Sequence, residues 1–176
     1  MPDFLRNKWL ANFLKLESLR GIRFHRPILP VDAVDYKMRL FVGVVVVKEN
    51  LMIGSWGSFK RQNDDWSCQF LLGRPVLAAS NSTIPKNELQ ALTGGSNLGW
   101  VVRRALPEWV TQTILFGDTV IALCWVTSEK KQLGMFHRNR VILVRRGTNL
   151  EDLHHCWTNH NPSDVGLGQT TSPWQM

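Results

Sequence analysis

Apolar residues recur at Leu5, Trp9, Leu10, Phe13, Leu14, Leu16 and Leu19. That spacing lays an apolar stripe along one face of a helix over residues 4–19. The stripe needs a partner surface. Pro27 and Pro30 then hold the chain extended, and residues 28–34 read as a short strand that ends near Asp32. The run "LFVGVVVV" at 40–47 is apolar, β-branched and of strand length. "LMIGSWGSF" and "WSCQFLLGRPVLAAS" read as further strands around the turn-rich "KRQNDD". The first half is therefore expected to be a three- or four-stranded antiparallel meander.

The pattern changes after residue 81. Residues 82–106 are helix-like and opened by Pro85. Gly94, Gly95 and Gly99 weaken that helix, each costing up to about 1 kcal/mol against alanine. "TQTILFGD" suits a short strand and "TVIALCWV" a short helix. "MFHRNRVILVRR" fits a strand as well as a buried helix. "EDLHHCW" reads as a last strand, and Pro162 opens a last helix. Strands first and alternation afterwards predict an α/β fold, a mixed sheet with helices on its faces.

The 176-residue chain is long enough for one domain with a full core. No apolar run approaches the roughly 20 residues of a membrane span, and acid and base interrupt the N-terminus, unlike a signal peptide. Cys68, Cys124 and Cys156 are scattered and odd in number, which suggests neither a disulfide framework nor a zinc site. A reducing, intracellular setting is expected. The net charge of +7 and pI of about 9.8 suggest a polyanionic partner. The excess concentrates at Lys130, Lys131, Arg138, Arg140, Arg145 and Arg146, a phosphate-gripping stretch or a solvated face.

Four carboxylates fall at element ends on this outline. Asp32 closes the first strand, Glu88 lies in the first turns of the long helix, Asp118 ends a later strand, and Asp164 starts the last helix. Such positions converge at one edge of a sheet, where α/β sites form. Converging carboxylates repel unless cations sit among them. Oxygen-only ligands suit Mg²⁺ or Mn²⁺. Two such ions about 4 Å apart activate water and stabilise a leaving oxygen in phosphodiester cleavage.

"TIPKNELQAL", "FGDTVIALCWV", "FHRNRV" and "NPSD", in that order, resemble the ribonuclease H segment of BEL/Pao-type LTR retrotransposon polyproteins. "LRNKWLANFLKLESLRGIRFHRP" resembles the connection that precedes it, and "VDAVDYK" stands where that family has "DASE". The resemblance implies a connection helix and linker at 1–26, a ribonuclease H-like domain at 27–168 and a tail at 169–176. It implies a mixed five-stranded sheet with helices on both faces. The activity implied is cleavage of the RNA strand of RNA–DNA hybrids by two Mg²⁺ or Mn²⁺ ions. Asp32, Glu88, Asp118 and Asp164 match the metal-binding acids, with Asp35 a rival to Asp32. His155 stands where a mobile histidine assists, with His154 and His160 as rivals. Asn161 matches an asparagine near the substrate backbone, and Thr119 a small hydroxyl residue beside the third acid. The implied partners are a hybrid and the reverse transcriptase of the same polyprotein, with no membrane. A domesticated or non-catalytic nucleic-acid-binding or scaffold domain of the same fold is the competing expectation.

Overall fold

The structure is a computed structural model that describes residues 28–47, 50–78, 82–129, 132–157 and 160–161. β1 (Ala33–Val47), β2 (Asn50–Arg61) and β3 (Trp66–Leu77) form the expected antiparallel meander. The chain then forms helix α1 (Ile84–Ala105), strand β4 (Val110–Gly117), and helices α2 (Val120–Thr127) and α3 (Met135–Gly147). A 3-10 turn at Leu150–Asp152 leads into β5 (Leu153–His155). β4 runs parallel to β1, and β5 parallel to β4. The spatial order is β3-β2-β1-β4-β5, a mixed five-stranded sheet.

One expected boundary was wrong. The short strand at 28–34 and the run at 40–47 are not two strands, because β1 continues from Ala33 to Val47. The intervening polar residues are strand in conformation, but they bulge from the ladder with β2 between Ala33 and Met38. Asp35 and Arg39 are exposed, while Met38 and Leu40 are buried.

α1 lies against β1, β2 and β4, and α2 and α3 pack on α1. The helix's glycines permit this closeness. A Cβ on Gly95 would come within 2.7 Å of Val44 Cγ1 and 2.8 Å of Leu115, and one on Gly94 would collide with Ile53 Cδ1. The close approach offsets the poor helix propensity of these residues. The ambiguous segment at 135–147 is a helix because its buried residues, Val141 and Val144, recur at i and i+3. Residues from all three helices share one core cluster with Leu40, Val42, Val44, Ile53 and Leu115. Among the described residues, no helix is long and apolar enough to cross a membrane. The helices expected at 4–19 and after Pro162 lie outside the described residues.

Candidate active site

β4 ends at Gly117, and the chain turns through Asp118 and Thr119 into α2. Glu88, from the second turn of α1, reaches the same place. Glu88, Asp118 and Thr119 line a shallow dent with Val44, Val46, Leu92, Gly117 and Ala122. Thr119 occupies the N-cap position of α2, yet its side chain makes no cap bond to that helix. Its hydroxyl donates to Glu88 instead. Burial raises the Glu88 carboxyl above the ordinary carboxylate range. The Thr119 bond works against that rise, and the charge of Asp118 adds to it. Glu88 Oε2 is buried with no hydrogen-bond partner among the described residues. β5 delivers His155 beside Gly117, and His155 Nε2 lies 3.1 Å from the Asp118 carbonyl oxygen. The ring also meets Trp157 edge-on, with centroids 5.0 Å apart. His154 and His160 are exposed.

Asp32 does not join this group. It sits just before β1, whose other end carries Val44 and Val46 into the dent. On the partner strand only Arg61 to Ile53 separates the residues paired with Ala33 and Val44, so the two ends of β1 lie roughly 25–30 Å apart, far beyond the reach of a shared ion. Asp32 instead pairs with Arg61, whose Nε donates to Oδ2 at 2.7 Å and whose Nη2 lies 2.7 Å from the same oxygen. Its rival Asp35 is at the same remote end, where Oδ1 accepts the Lys37 N–H. The parallel register pairs Val44 with Gly117. Valines therefore flank Asp118 where a β1 carboxylate would have to stand. The extra residues between Ala33 and Met38, a bulge against β2, carry Asp32 and Asp35 away from the run that reaches the dent.

Asn161 is also reassigned. It is 3% exposed, and its Nδ2 donates 2.8 Å to the Val44 carbonyl oxygen. Buried in this way, it braces β1 beside the dent. In the basic stretch, Arg145 Nε donates to the Val126 carbonyl at 2.7 Å and Nη2 to the Ser128 carbonyl at 3.0 Å. It thus caps the C-terminus of α2, where a cation is favoured by the helix dipole. Arg140 lies over the Phe136 ring, 3.5 Å from its centroid. Arg138 and Arg146 are exposed. Asp164, Lys130 and Lys131 lie outside the described residues.

Among the described residues, no three His, Cys, Asp or Glu side chains are grouped to hold a metal ion. Among the described residues, Glu88 and Asp118 stand on a valine floor and do not by themselves make a two-ion centre.

No family model matches the chain, and no curated protein matches its sequence. Among solved structures, it is similar to ribonuclease H1 from the halophilic archaeon Halobacterium salinarum NRC-1 at a TM-score of 0.44 and 12% identity. That match covers 73% of this chain and 92% of the other. It is similar to the N-terminal RNase H domain of a Mycobacterium tuberculosis protein at a TM-score of 0.41 and 9% identity, covering 71% and 86%. With TM-scores below one half, neither likeness adds to what strand order and side chains establish. An antiparallel meander followed by two parallel strands, in the order 3-2-1-4-5, is the ribonuclease H-like arrangement.

Proposed function

We propose that this ribonuclease H-like domain binds nucleic acid, with an RNA–DNA hybrid as its preferred partner, and does not cleave it efficiently. The observation that carries this reading is the pairing of Val44 with Gly117. A two-ion mechanism needs a carboxylate shared between the ions. The sheet offers valine at that place and holds Asp32 at its other end. Support for binding comes from the charge of +7 and from exposed arginines on two helices, Arg103 and Arg104 on α1 and Arg138 and Arg146 on α3. The sequence resemblance supports a retroelement polyprotein origin, in which such a domain would act beside a reverse transcriptase.

A second reading is favoured by one observation, the unpartnered Oε2 of Glu88. A cation held by Glu88, Asp118 and Asp164 would satisfy that oxygen and make the domain a metal-dependent nuclease. Asp164 follows Asn161 by three residues, a stretch that spans at most about 11 Å.

One experiment separates the two. A labelled hybrid is titrated with protein at two salt concentrations, then incubated with Mg²⁺, Mn²⁺ or EDTA. Binding that weakens steeply with salt, with equal amounts of product in all three incubations, is expected. Metal-dependent cleavage that is lost in Asp118→Asn overturns the first reading and supports the second.

A further inference from the structure

We infer that the amphipathic segment at residues 4–19 docks as a helix on the sheet face opposite α1, α2 and α3. The inference is independent of whether the domain cuts nucleic acid. It starts from the strand register. Val42 and Val44 face α1, since a Cβ on Gly95 would touch both. Phe41, Gly43 and Val45 alternate with them and face the other way.

From Phe41 onward, the rungs on that second face are apolar across the sheet. Phe41 pairs with Trp56 and with Ile114, and Trp56 pairs with Phe70. The next rung is Gly43, Gly54 and Gly73. Its missing side chains make a trough that the neighbouring rings fill. A Cβ on Gly54 would strike the Trp56 indole, and one on Gly73 would come within 2.9 Å of the Phe70 ring. Trp56 and Phe70 meet edge-on at 5.6 Å. Val45, on the rung beyond, is 1% exposed yet is no member of the core cluster beneath the helices. Phe70 and Trp66 remain 39% and 49% exposed.

A sheet that is apolar on both faces needs a layer on each. The three described helices supply one. Of the two long stretches outside the described residues, 162–176 offers a helix start at Pro162 but only Val165 and Leu167 before Gly168, too few apolar residues for a stripe. Residues 4–19 have one, ending in Leu16 and Leu19. As a helix they would be about 24 Å long. The linker at 20–27 can span up to about 28 Å. It joins Ile28 beside the β1–β2 edge, where Gln62 N–H donates to the Asp32 carbonyl. The segment can therefore lie across the glycine trough without disturbing the strands.

Cys68 gives a direct test. It pairs with Ser58, which pairs with Arg39, so it belongs to the second face. In the full chain with Cys124→Ser and Cys156→Ser, a cysteine is introduced on the stripe (Phe13→Cys or Leu16→Cys) or on the polar side (Lys15→Cys or Ser18→Cys). Mild oxidation should link the stripe variants to Cys68 within one chain, at least tenfold faster than the polar-side variants. Equal rates from both sides, or no link, overturn the proposal. Links formed only between chains overturn it in favour of a second copy on that face. A second measurement guards against cysteine variants that pack badly. Phe13→Asp with Leu16→Asp, in the full chain carrying Val45→Cys with Cys68, Cys124 and Cys156 replaced by serine, should speed labelling at position 45, where Val45 is 1% exposed, by a thiol reagent at least tenfold. An unchanged labelling rate also overturns it.

Discussion

Val44 lies directly across from Gly117 in the parallel pairing of β1 with β4, one residue short of Asp118. This single register decides what Asp118 has for company. On one side stand Glu88 and Thr119, and on the other a floor of Val44 and Val46. Saturating Mg²⁺ or Mn²⁺ is therefore expected to leave Tm unchanged. A specific ion at a hundredfold excess over its Kd would stabilise by about 2.7 kcal/mol. In Val46→Asp, a third carboxylate enters the dent. That variant should melt below wild type in EDTA and recover with Mn²⁺. A wild-type Tm that rises with Mn²⁺, and stops rising in Asp164→Asn, would favour the nuclease reading.

Glu88 sets a pH dependence whose sign follows from its raised carboxyl. The folded state holds this proton more tightly than the unfolded chain does. The stability it contributes is fully present below the unfolded value of 4.5 and is lost as pH rises through the folded one. Glu88→Gln cannot lose that proton. It should melt above wild type at pH 7.5, and the gap should close as pH falls below about 4.5. The measurement is a pair of thermal melts across that range. A gap that does not change with pH would mean the charge of Glu88 is not what burial opposes.

Asp32 and Arg61 form a half-exposed pair, with side chains 40% and 41% accessible. Pairs of this kind contribute about 1 kcal/mol or less. Asp32→Asn should lower the denaturant midpoint slightly and leave hybrid binding and metal response untouched. A large change in either of the last two would return Asp32 to the site.

Arg138 and Arg145 lie seven apart on one helix and differ in task. Arg145 caps α2 through two carbonyls, so Arg145→Ala should cost about 1–2 kcal/mol in denaturant unfolding. Arg138 makes no such bond among the described residues. If it touches phosphate, Arg138→Ala should leave stability alone and lower the log–log salt slope of binding by about 0.7–0.9. Equal effects of the two variants on the salt slope would show that Arg145 leaves its cap to grip nucleic acid.

The fold was legible in the sequence where local period and tertiary demand agree. The strand runs of β2 and β3 around their turn, the Pro85 start of α1 and the apolar run of α2 all read correctly. The carboxylate geometry was legible in part. Glu88, Asp118 and His155 stand at element ends in sequence and meet in space. Asp32 misled because a charged stretch, Asp35 to Arg39, looked like a break between strands. A strand open to water on one face carries charges at alternate positions without ending, and only the pairing of Met38 with Phe59 fixes that it continues. Asn161 and Arg145 misled for a different reason. Their side-chain types suit a ligand, but their partners are backbone carbonyls at Val44 and Val126, distant in sequence and invisible to a local pattern.

Asn161 also supplies the sharpest test of this division between site and brace. β4 ends its pairing with β1 at Val44, so the carbonyl there needs a donor from elsewhere, and the buried Asn161 amide provides it. Asn161→Ala leaves that carbonyl without its partner, at a cost of about 1–3 kcal/mol. Asn161→Asp goes further, because a carboxylate oxygen would face a carbonyl oxygen. Protonated, the new carboxyl can still donate; ionised, it repels. Burial and the missing donor raise its carboxyl above the ordinary range, so the deficit should be small at pH 4 and grow through neutrality. A substrate-contacting asparagine behaves differently: Asn161→Ala would weaken hybrid binding while unfolding at the wild-type midpoint. Denaturant unfolding at pH 4 and 7.5, together with a hybrid titration at low salt, distinguishes the two. A brace lowers stability in both variants, with the aspartate's loss growing with pH, and leaves the affinity of the folded protein as it was.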